Sequence, residues 1–283
     1  MRTFGTVCLA LFVGLWAPVW AQSVAELVAQ ADALFQEVWL TQYTPLAAAG
    51  LKTKLETAID LYKRALAQDA GNIHVLNMLA RSCYTLADVF LTKDSDKQAA
   101  HAIGQEYGEQ SLKLNADPQC VRDWKGDGFM AAVRASTDIE ALYWTYANWA
   151  RKVELGGWGE LIAAALRGDD KKLMALMERC VELDRAYLSG GPLRALGGYW
   201  AKHPFSKDYD KTKALLEEAV AHYPDYLENQ IFYVQYYLIP KEQWAKAREE
   251  LQKVIDAPVG AFPLYNGLAK VKAVDLLGQV QGK

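Results

Sequence analysis

The chain has 283 residues, of which 52% are hydrophobic and 23% are charged, and its formal net charge is −3. This balance is typical of a soluble globular protein that is long enough to build a sizeable core. No basic run occurs along the chain. The composition therefore does not favour a partner such as nucleic acid or an anionic membrane surface.

The first 21 residues have the pattern of a secretory signal peptide. Arg2 supplies a positive charge, Val7–Trp16 is apolar, and Ala21 precedes the predicted cleavage site before Gln22. The alternative is an uncleaved N-terminal anchor. No later stretch reaches about 18 consecutive apolar residues, the length of a membrane-spanning helix. We therefore predict that residues 22–283 form a single periplasmic domain.

The cysteines do not predict a disulfide framework or a metal site. Cys83, Cys120 and Cys180 follow the signal peptide, and no pair has CxxC spacing. At most one disulfide can form, and the pairing stays open. Cys83 and Cys180 stand among apolar helical positions and are predicted to be small core residues. Cys8 lies too early in the signal peptide to be a lipoprotein acceptor, so the chain is not a lipoprotein by sequence.

Helical periodicity dominates the rest of the chain. Long stretches rich in Ala, Leu, Glu, Lys and Gln carry apolar residues at i, i+3 and i+4, and strand alternation is absent. Turn residues separate these stretches at positions 71–72, 117–118, 156–157, 190–192, 203–204, 224, 240 and 258. Each interval suits one helix or a helical pair, which predicts an all-α protein.

One segment is typical of the second helix of a tetratricopeptide (TPR) repeat. In AIDLYKRALAQDA (Ala58–Ala70), small residues let two helices approach, and the tyrosine fills the gap between them. Similar helix ends follow at 111–116, 180–185, 219–224 and 254–259, and first helices recur at 76–83 and 193–200. The intervals depart from the regular period of about 34 residues. The greatest departure lies between Ala116 and Arg185, which predicts inserted segments there.

These patterns predict a degenerate TPR-like α-solenoid of four to five stacked antiparallel helical pairs. A C-terminal helix near Leu264–Gly278 is expected to cap it. The alternative is an unrelated bundle of Ala-rich helical hairpins.

The sequence contains no recognisable catalytic constellation. The four histidines, which lack the spacing of metal ligands, stand near predicted helix ends or turns: His74, His101, His203 and His222. Phosphate loops, dinucleotide fingerprints and nucleophile elbows are also missing. Asp123 and Asp127, which flank Gly126, permit only a weak metal-binding interpretation. We therefore expect no enzyme activity, no cofactor and no metal.

Aromatic residues cluster on three predicted first helices, at 143–149, 199–200 and 232–237. First helices line the concave face of TPR solenoids, where ligands dock. The alternative, that these rings fill gaps between helices, stays open. The candidate cleft residues are Trp144, Asn148, Arg151, Arg194, Trp200, Tyr233 and Tyr236.

A helical wheel of ALYWTYANWAR (Ala141–Arg151) divides its rings into two groups. It places Tyr143, Tyr146 and Trp149 in a normal buried stripe. Trp144 lies about 140° from Ile139, on the same side as Asn148 and Arg151. A ring, an amide and a guanidinium on one line could bind a carboxylate with an apolar body. An exposed polar face, with Trp144 covered by a loop, is an equal alternative.

Three segments resemble the T component associated with TRAP transporters, a family of periplasmic TPR-like proteins often called TatT. They are residues 141–151, 176–204 and 210–238. The most specific parts are Tyr143-Trp144 with Trp149, Leu183-Asp184 with Tyr187, and Gly190-Gly191-Pro192 with Leu196-Gly197 and Pro204. The resemblance extends over about Leu55 to Pro258.

The resemblance implies degenerate TPR-like motifs, a pore or cleft through the protomer, and a trimer as in a characterised member. It also implies partnership with the solute-binding subunit of a TRAP transporter, which takes up organic acids or other hydrophobic or carboxylated ligands. Two features depart from the family. A characterised member is lipid-anchored, whereas this chain lacks a usable cysteine, and FSKDYDKTK after Pro204 replaces the family's Gly-Gly-Asp turn.

The leading functional hypothesis is a non-enzymatic periplasmic component associated with a TRAP-type transporter. It would bind the solute-binding subunit and a small hydrophobic or carboxylated ligand in an aromatic cleft. The alternative is a general TPR scaffold for cell-envelope assembly or secretion, which would use its concave face to bind a peptide or helix.

Overall fold

The computed structural model describes residues 22–283, and the predicted signal peptide lies outside these residues. Within this range the chain forms helices and no strand. The all-α prediction is therefore confirmed.

Fourteen α-helices are present in the described part of the chain, and α3 and α12 each continue into a short π-helical turn. The helices are α1 (Val24–Trp39), α2 (Ala48–Gln68), α3 (Ile73–Thr85, then Leu86–Phe90), α4 (Asp94–Asn115), α5 (Pro118–Arg122), α6 (Gly128–Ala135), α7 (Ile139–Leu155), α8 (Gly157–Leu166), α9 (Asp169–Leu183), α10 (Tyr187–Lys202), α11 (Tyr209–His222), α12 (Glu228–Tyr233, then Val234–Leu238), α13 (Trp244–Asp256) and α14 (Pro263–Val280).

Side-chain caps determine where several helices begin. Ser23 and Glu26 form a capping box at the start of α1. Asn72 caps α3, and an Asp138 carboxylate oxygen accepts a hydrogen bond of 3.0 Å from the amide of Ala141 in α7. The cap on α7 sets the first residue of the helix that carries the aromatic cluster.

Consecutive helices pack as pairs. Helix α1 packs against α2, α3 against α4, α10 against α11, and α13 against α14, while α7 lies between α4 and α9. Gly104 and Gly108 of α4 lie directly against Asn148 and Thr145 of α7, leaving no room for larger side chains. The extra helices α5, α6 and α8 fall between Ala116 and Arg185, where the sequence predicted insertions. The predicted solenoid of helical pairs is confirmed.

The C-terminal helix does more than cover one end of the solenoid. Helix α14 also contacts α1 and α12. The amide of Tyr43, just after α1, donates a hydrogen bond of 3.2 Å to the carbonyl of Pro263, and the rings of Tyr265 and Trp39 lie 5.1 Å apart. The row of helices therefore closes on itself, with its last helix against its first pair.

A left-handed turn opens α10. Leu188, Ser189 and Gly190 have φ values of 48°, 53° and 80°, a conformation that costs about 1–2 kcal/mol for each residue other than glycine. The buried side-chain amide of Asn229 donates hydrogen bonds of 3.1 Å to the Ser189 carbonyl and 3.0 Å to the Tyr223 carbonyl. Asn229 therefore ties this strained turn to the end of α11.

The seam between α14 and α1 depends on a glycine. A Cβ atom at Gly267 would lie 2.5 Å from the carbonyl oxygen of Tyr43 and 2.9 Å from its amide nitrogen. We expect Gly267→Ala to lower the free energy of unfolding by about 2 kcal/mol, because backbone must move to admit a methyl group. Urea unfolding measures this loss.

Gly278→Ala is the matched control, because this position on the same helix has no neighbouring atom within 4 Å of an added Cβ. Its stability should stay unchanged or rise by up to about 1 kcal/mol through helix propensity. Equal stability of the two variants would contradict a tight seam.

Candidate ligand cavity

A cavity lies where the three hydrophobic cores of the molecule meet. One core contains Trp39 and Tyr265, the second contains Trp144 and Tyr146, and the third contains Tyr236. Including its open mouth, the cavity has a volume of about 1100 Å³. Ten aromatic side chains line it: Trp39, Tyr84, Tyr143, Trp144, Tyr146, Tyr199, Tyr226, Phe232, Tyr236 and Tyr265.

A second, more polar space of about 760 Å³ adjoins the aromatic cavity. The two spaces share five lining residues, which form the partition between them: Tyr84, Arg151, Glu228, Phe232 and Tyr236. Beyond the partition the second space is lined by polar residues such as Asp88, Gln235 and Lys272.

Arg151 is held in the partition by two carboxylates. Its Nη1 atom donates a hydrogen bond of 2.8 Å to Glu154, and its Nη2 atom donates one of 3.2 Å to Asp88. Burial favours the neutral form of Asp88, but Lys272 and Arg151 outweigh it and hold the pKa of Asp88 below its ordinary value. Arg151, which the sequence predicted to bind a ligand carboxylate, is thus already paired with carboxylates of the protein.

Two lysines on either side of the partition are paired in the same way. Lys202 lies against Glu154 and donates a hydrogen bond of 2.8 Å to the Tyr236 hydroxyl. Lys272 lies 3.4 Å from Asp88. Burial raises the pKa of Glu154, but Arg151 and Lys202 have the larger effect and hold it below its ordinary value. This carboxyl is therefore ionised at neutral pH.

Arg194 lies in the cavity wall and is also paired. It is only 4% exposed, and its Nη1 atom donates a hydrogen bond of 2.7 Å to the Asn229 side chain. Its Nε atom lies 3.4 Å from Glu228, and its guanidinium carbon lies 4.6 Å from the centre of the Tyr226 ring. Arg194 therefore joins the cavity wall to the left-handed turn through Asn229.

Asn148 does not line the cavity. Its amide group donates hydrogen bonds to the carbonyls of Ala80 and Trp144, at 2.9 and 2.8 Å. Its oxygen lies 3.1 Å from Nδ1 of His101 on α4 and must accept that hydrogen bond. Asn148 therefore cross-links α3, α4 and α7. It does not join Trp144 and Arg151 in the cavity, as the helical wheel predicted it would.

Trp200 and Tyr233 also lie outside the cavity. The Trp200 ring lies under the ammonium group of Lys211, 3.9 Å from it, and the Tyr233 hydroxyl donates a hydrogen bond of 2.7 Å to Glu217. The structure thus brings together four of the seven candidate cleft residues, namely Trp144, Arg151, Arg194 and Tyr236.

The division of the α7 rings into packing and binding groups does not hold. Trp144 was expected outside the buried stripe, but it is only 2% exposed. Tyr143 and Tyr146 are buried as predicted, yet they line the cavity together with Trp144. Of the predicted stripe, Trp149 is the ring that only packs, with its centre 5.9 Å from that of Phe129. Because helices cover α7 on several sides, a one-sided wheel could not separate the two roles.

Sequence reasoning missed several charged residues in and around the partition. Glu154 could have been found, because it follows Arg151 by three positions and shares its side of the helix. Asp88, Glu228 and Lys272 lie on other helices, far away in sequence, and no local pattern connects them to Arg151.

Two further observations bear on the class of protein. No helix within residues 22–283 has the combined length and apolar character needed to cross a membrane. The same residues contain no cluster of three or more His, Cys, Asp or Glu side chains arranged for a metal ion. Cys83 and Cys180 are buried and unpaired, as predicted for core residues, and Cys120 is also free.

The fold and the cavity define an all-helical repeat protein that encloses an aromatic chamber with an ion-paired wall. The profile of the TRAP transporter T-component family (TAtT) matches residues 53–282 of the chain. The chain therefore belongs to the TRAP transporter T-component family, and this membership associates it with a TRAP transporter. A comparison with curated proteins found no match.

The buried His101 should make stability depend on pH. Burial lowers the pKa of His101 to about 4 in the folded chain, against its ordinary value of 6.5. The unfolded chain therefore binds a proton first as pH falls, so stability is full above pH 6.5 and declines between pH 6.5 and 4. We expect a loss of about 2 kcal/mol from this group between pH 7.5 and 5.

His101→Gln removes the titrating group from the same site and should lack this part of the loss. Urea unfolding of both proteins at pH 7.5 and pH 5 measures the difference. The same pH-dependent loss in both proteins would mean that His101 is not the responsible group.

Proposed function

We propose that this chain is a non-enzymatic periplasmic component of a TRAP-type uptake system. It binds the solute-binding subunit of the transporter and holds a small ligand, hydrophobic or carboxylated, in the aromatic cavity. The observation that carries this proposal is the cavity itself, which ten aromatic side chains line within a closed ring of helices. Concave and mostly apolar spaces with a few polar groups are typical of small-molecule sites.

Exposed apolar side chains adjoin residues that line the cavity. Leu161, Ala164 and Ala165 of α8 line the cavity, while Trp158 and Leu166 at the two ends of this helix are 56% and 77% exposed. Phe205, which follows the cavity-lining Pro204, is 63% exposed.

Exposed apolar side chains beside a cavity are typical of protein interaction sites. We propose that Trp158, Leu166 and Phe205 form an apolar rim beside the cavity on which the solute-binding subunit docks, so that a ligand can pass between the two proteins. This arrangement would place the partner directly over the cavity and would keep an apolar ligand out of water during transfer.

A pull-down from periplasmic extract tests the partner. We expect the tagged chain to recover a solute-binding protein, and Trp158→Asp together with Phe205→Asp to abolish recovery, because each introduces a charge into the apolar rim. Leu46→Asp is the matched control, since Leu46 is 95% exposed and does not line the cavity. Failure of the unaltered chain to recover any solute-binding protein would contradict the partnership.

A cavity-filling variant tests the ligand. Gly198 lines the cavity, and an added Cβ would meet the rings of Phe232 and Tyr236 at 3.6 Å, an ordinary contact distance. We expect Gly198→Met to fold normally but to lose most of its bound small molecule, because the new side chain occupies the ligand's space. Native mass spectrometry of the purified protein measures retention.

Gly278→Met is the control, because it adds the same side chain to a helix at a position with open space around it. Equal retention in both variants would exclude the cavity as the binding place. A retained peptide in the unaltered protein would instead favour the general scaffold function.

Periplasmic localisation and a trimeric state belong to the same proposal. The first is supported by the signal-peptide pattern of residues 1–21 and the second by the family resemblance. Cell fractionation and sedimentation velocity test them separately. A cytoplasmic or monomeric protein would remove the corresponding part of the proposal.

A further inference from the structure

One guanidinium beside the cavity stacks on rings instead of pairing with a carboxylate. The guanidinium carbon of Arg81, on α3, lies 4.2 Å from the centre of the Trp39 ring, 4.9 Å from that of Phe35 and 5.5 Å from that of Trp144. Its Nε atom is buried and has no hydrogen-bond partner among the described residues. Nε of Arg151 also lacks a partner, but Arg151 and Arg194 are both paired with carboxylates, whereas Arg81 is not.

Two more buried polar groups near Arg81 also lack hydrogen-bond partners within residues 22–283. They are the indole N–H of Trp144 and the hydroxyl of Tyr187. The ring of Tyr143 contacts both of these residues, with centre-to-centre distances of 5.0 Å to Trp144 and 5.2 Å to Tyr187. Burial and the Glu140 carboxylate raise the pKa of Tyr187, while Arg81 and the Trp144 N–H oppose this rise, so all of these groups lie near the Tyr187 hydroxyl.

The Arg81 guanidinium, the Trp144 indole N–H and the Tyr187 hydroxyl can all donate a hydrogen bond, and they lack an acceptor among the described residues. An arginine side chain and an indole N–H can only donate hydrogen bonds, and a tyrosine hydroxyl can donate as well as accept. A buried polar group without a partner is destabilising, and more so if it is charged. A carboxylate offers several acceptor positions and a negative charge, and so would satisfy all three groups at once.

The position of these donors also predicts where the rest of the ligand lies. Trp39 and Trp144, which contact the Arg81 guanidinium, are themselves lining residues of the aromatic cavity. Leu188, next to Tyr187, lines it too. A carboxylate held by Arg81 would therefore have apolar, aromatic walls within reach of the rest of its molecule.

We propose that Arg81, the Trp144 indole N–H and the Tyr187 hydroxyl bind the carboxylate of an amphiphilic monoanion whose apolar body occupies the aromatic cavity. This site rests on the proposed function, since it requires the cavity to hold a ligand. It moves the carboxylate-binding role from Arg151, where the sequence pattern suggested it, to an arginine that forms no ion pair with a carboxylate of the described chain.

The test compares decanoate with 1-decanol, two probes that share a chain length and differ in charge. Isothermal titration calorimetry at pH 8 measures both affinities. We expect the unaltered protein to bind decanoate about tenfold more tightly than 1-decanol, the effect of one charge-assisted hydrogen-bond set. In Arg81→Gln the affinity for decanoate should fall to that for 1-decanol, while the affinity for 1-decanol stays constant.

Two variants control for loss of charge and of fold. Arg134→Gln removes an exposed arginine of α6 that does not line the cavity, and the tenfold preference should persist. Tyr187→Phe removes only a hydroxyl without a partner, so the fold should be kept while the preference falls about threefold. Thermal unfolding of each variant shows whether it is folded. If Arg81→Gln does not fold, the preference measured for Tyr187→Phe tests the carboxylate site instead.

The outcomes separate this site from the proposed function. If both probes bind but the preference for decanoate is absent, or survives in Arg81→Gln and Tyr187→Phe, the carboxylate site is wrong and the cavity function stands. If neither probe binds the unaltered protein and Gly198→Met retains as much native ligand as Gly278→Met, the cavity function fails and this site fails with it.

Discussion

The packing of α14 against the first helical pair is the contact on which the cavity depends. Without it, the helical pairs would form an open row, and the rings that now face one another across the cavity would face water. Gly267 permits this contact, because the backbone of Tyr43 occupies the space where a side chain would otherwise lie. Trp39 and Tyr265, from the two ends of the chain, then become neighbours in one wall.

Closure also brings charged residues from distant helices into a low-dielectric interior, where an unpaired charge is costly. In the structure these charged side chains form ion pairs with one another. Arg151 and Lys202 share Glu154, while Arg151 and Lys272 share Asp88. This pairing holds Arg151 in the partition between an aromatic space and a polar one. The same logic leads us to propose Arg81, which contacts three rings and no carboxylate of the described chain, as the binding residue for an external anion.

Local sequence patterns predicted the fold better than they predicted the site. Caps such as Asp138 and turn residues such as Gly190 lie within a few positions of the structure they determine, so helix content and helix ends were accessible. A helical wheel assumes one buried face and one exposed face. Helix α7 is buried on several sides, so the wheel placed Trp144 with the solvated residues and could not show that Asn148 faces α3 and α4.

The sequence by itself determined an all-helical chain of degenerate pairs, the inserted helices between Ala116 and Arg185, and membership of the TRAP transporter T-component family. These properties depend on short-range periodicity and on motifs that the chain carries directly. The tertiary structure alone decided that the helices close into a ring, which aromatic rings line the cavity, and which arginine lacks a carboxylate partner. Each of these depends on contacts between residues that are far apart in sequence, and their partners become known only when the helices are packed.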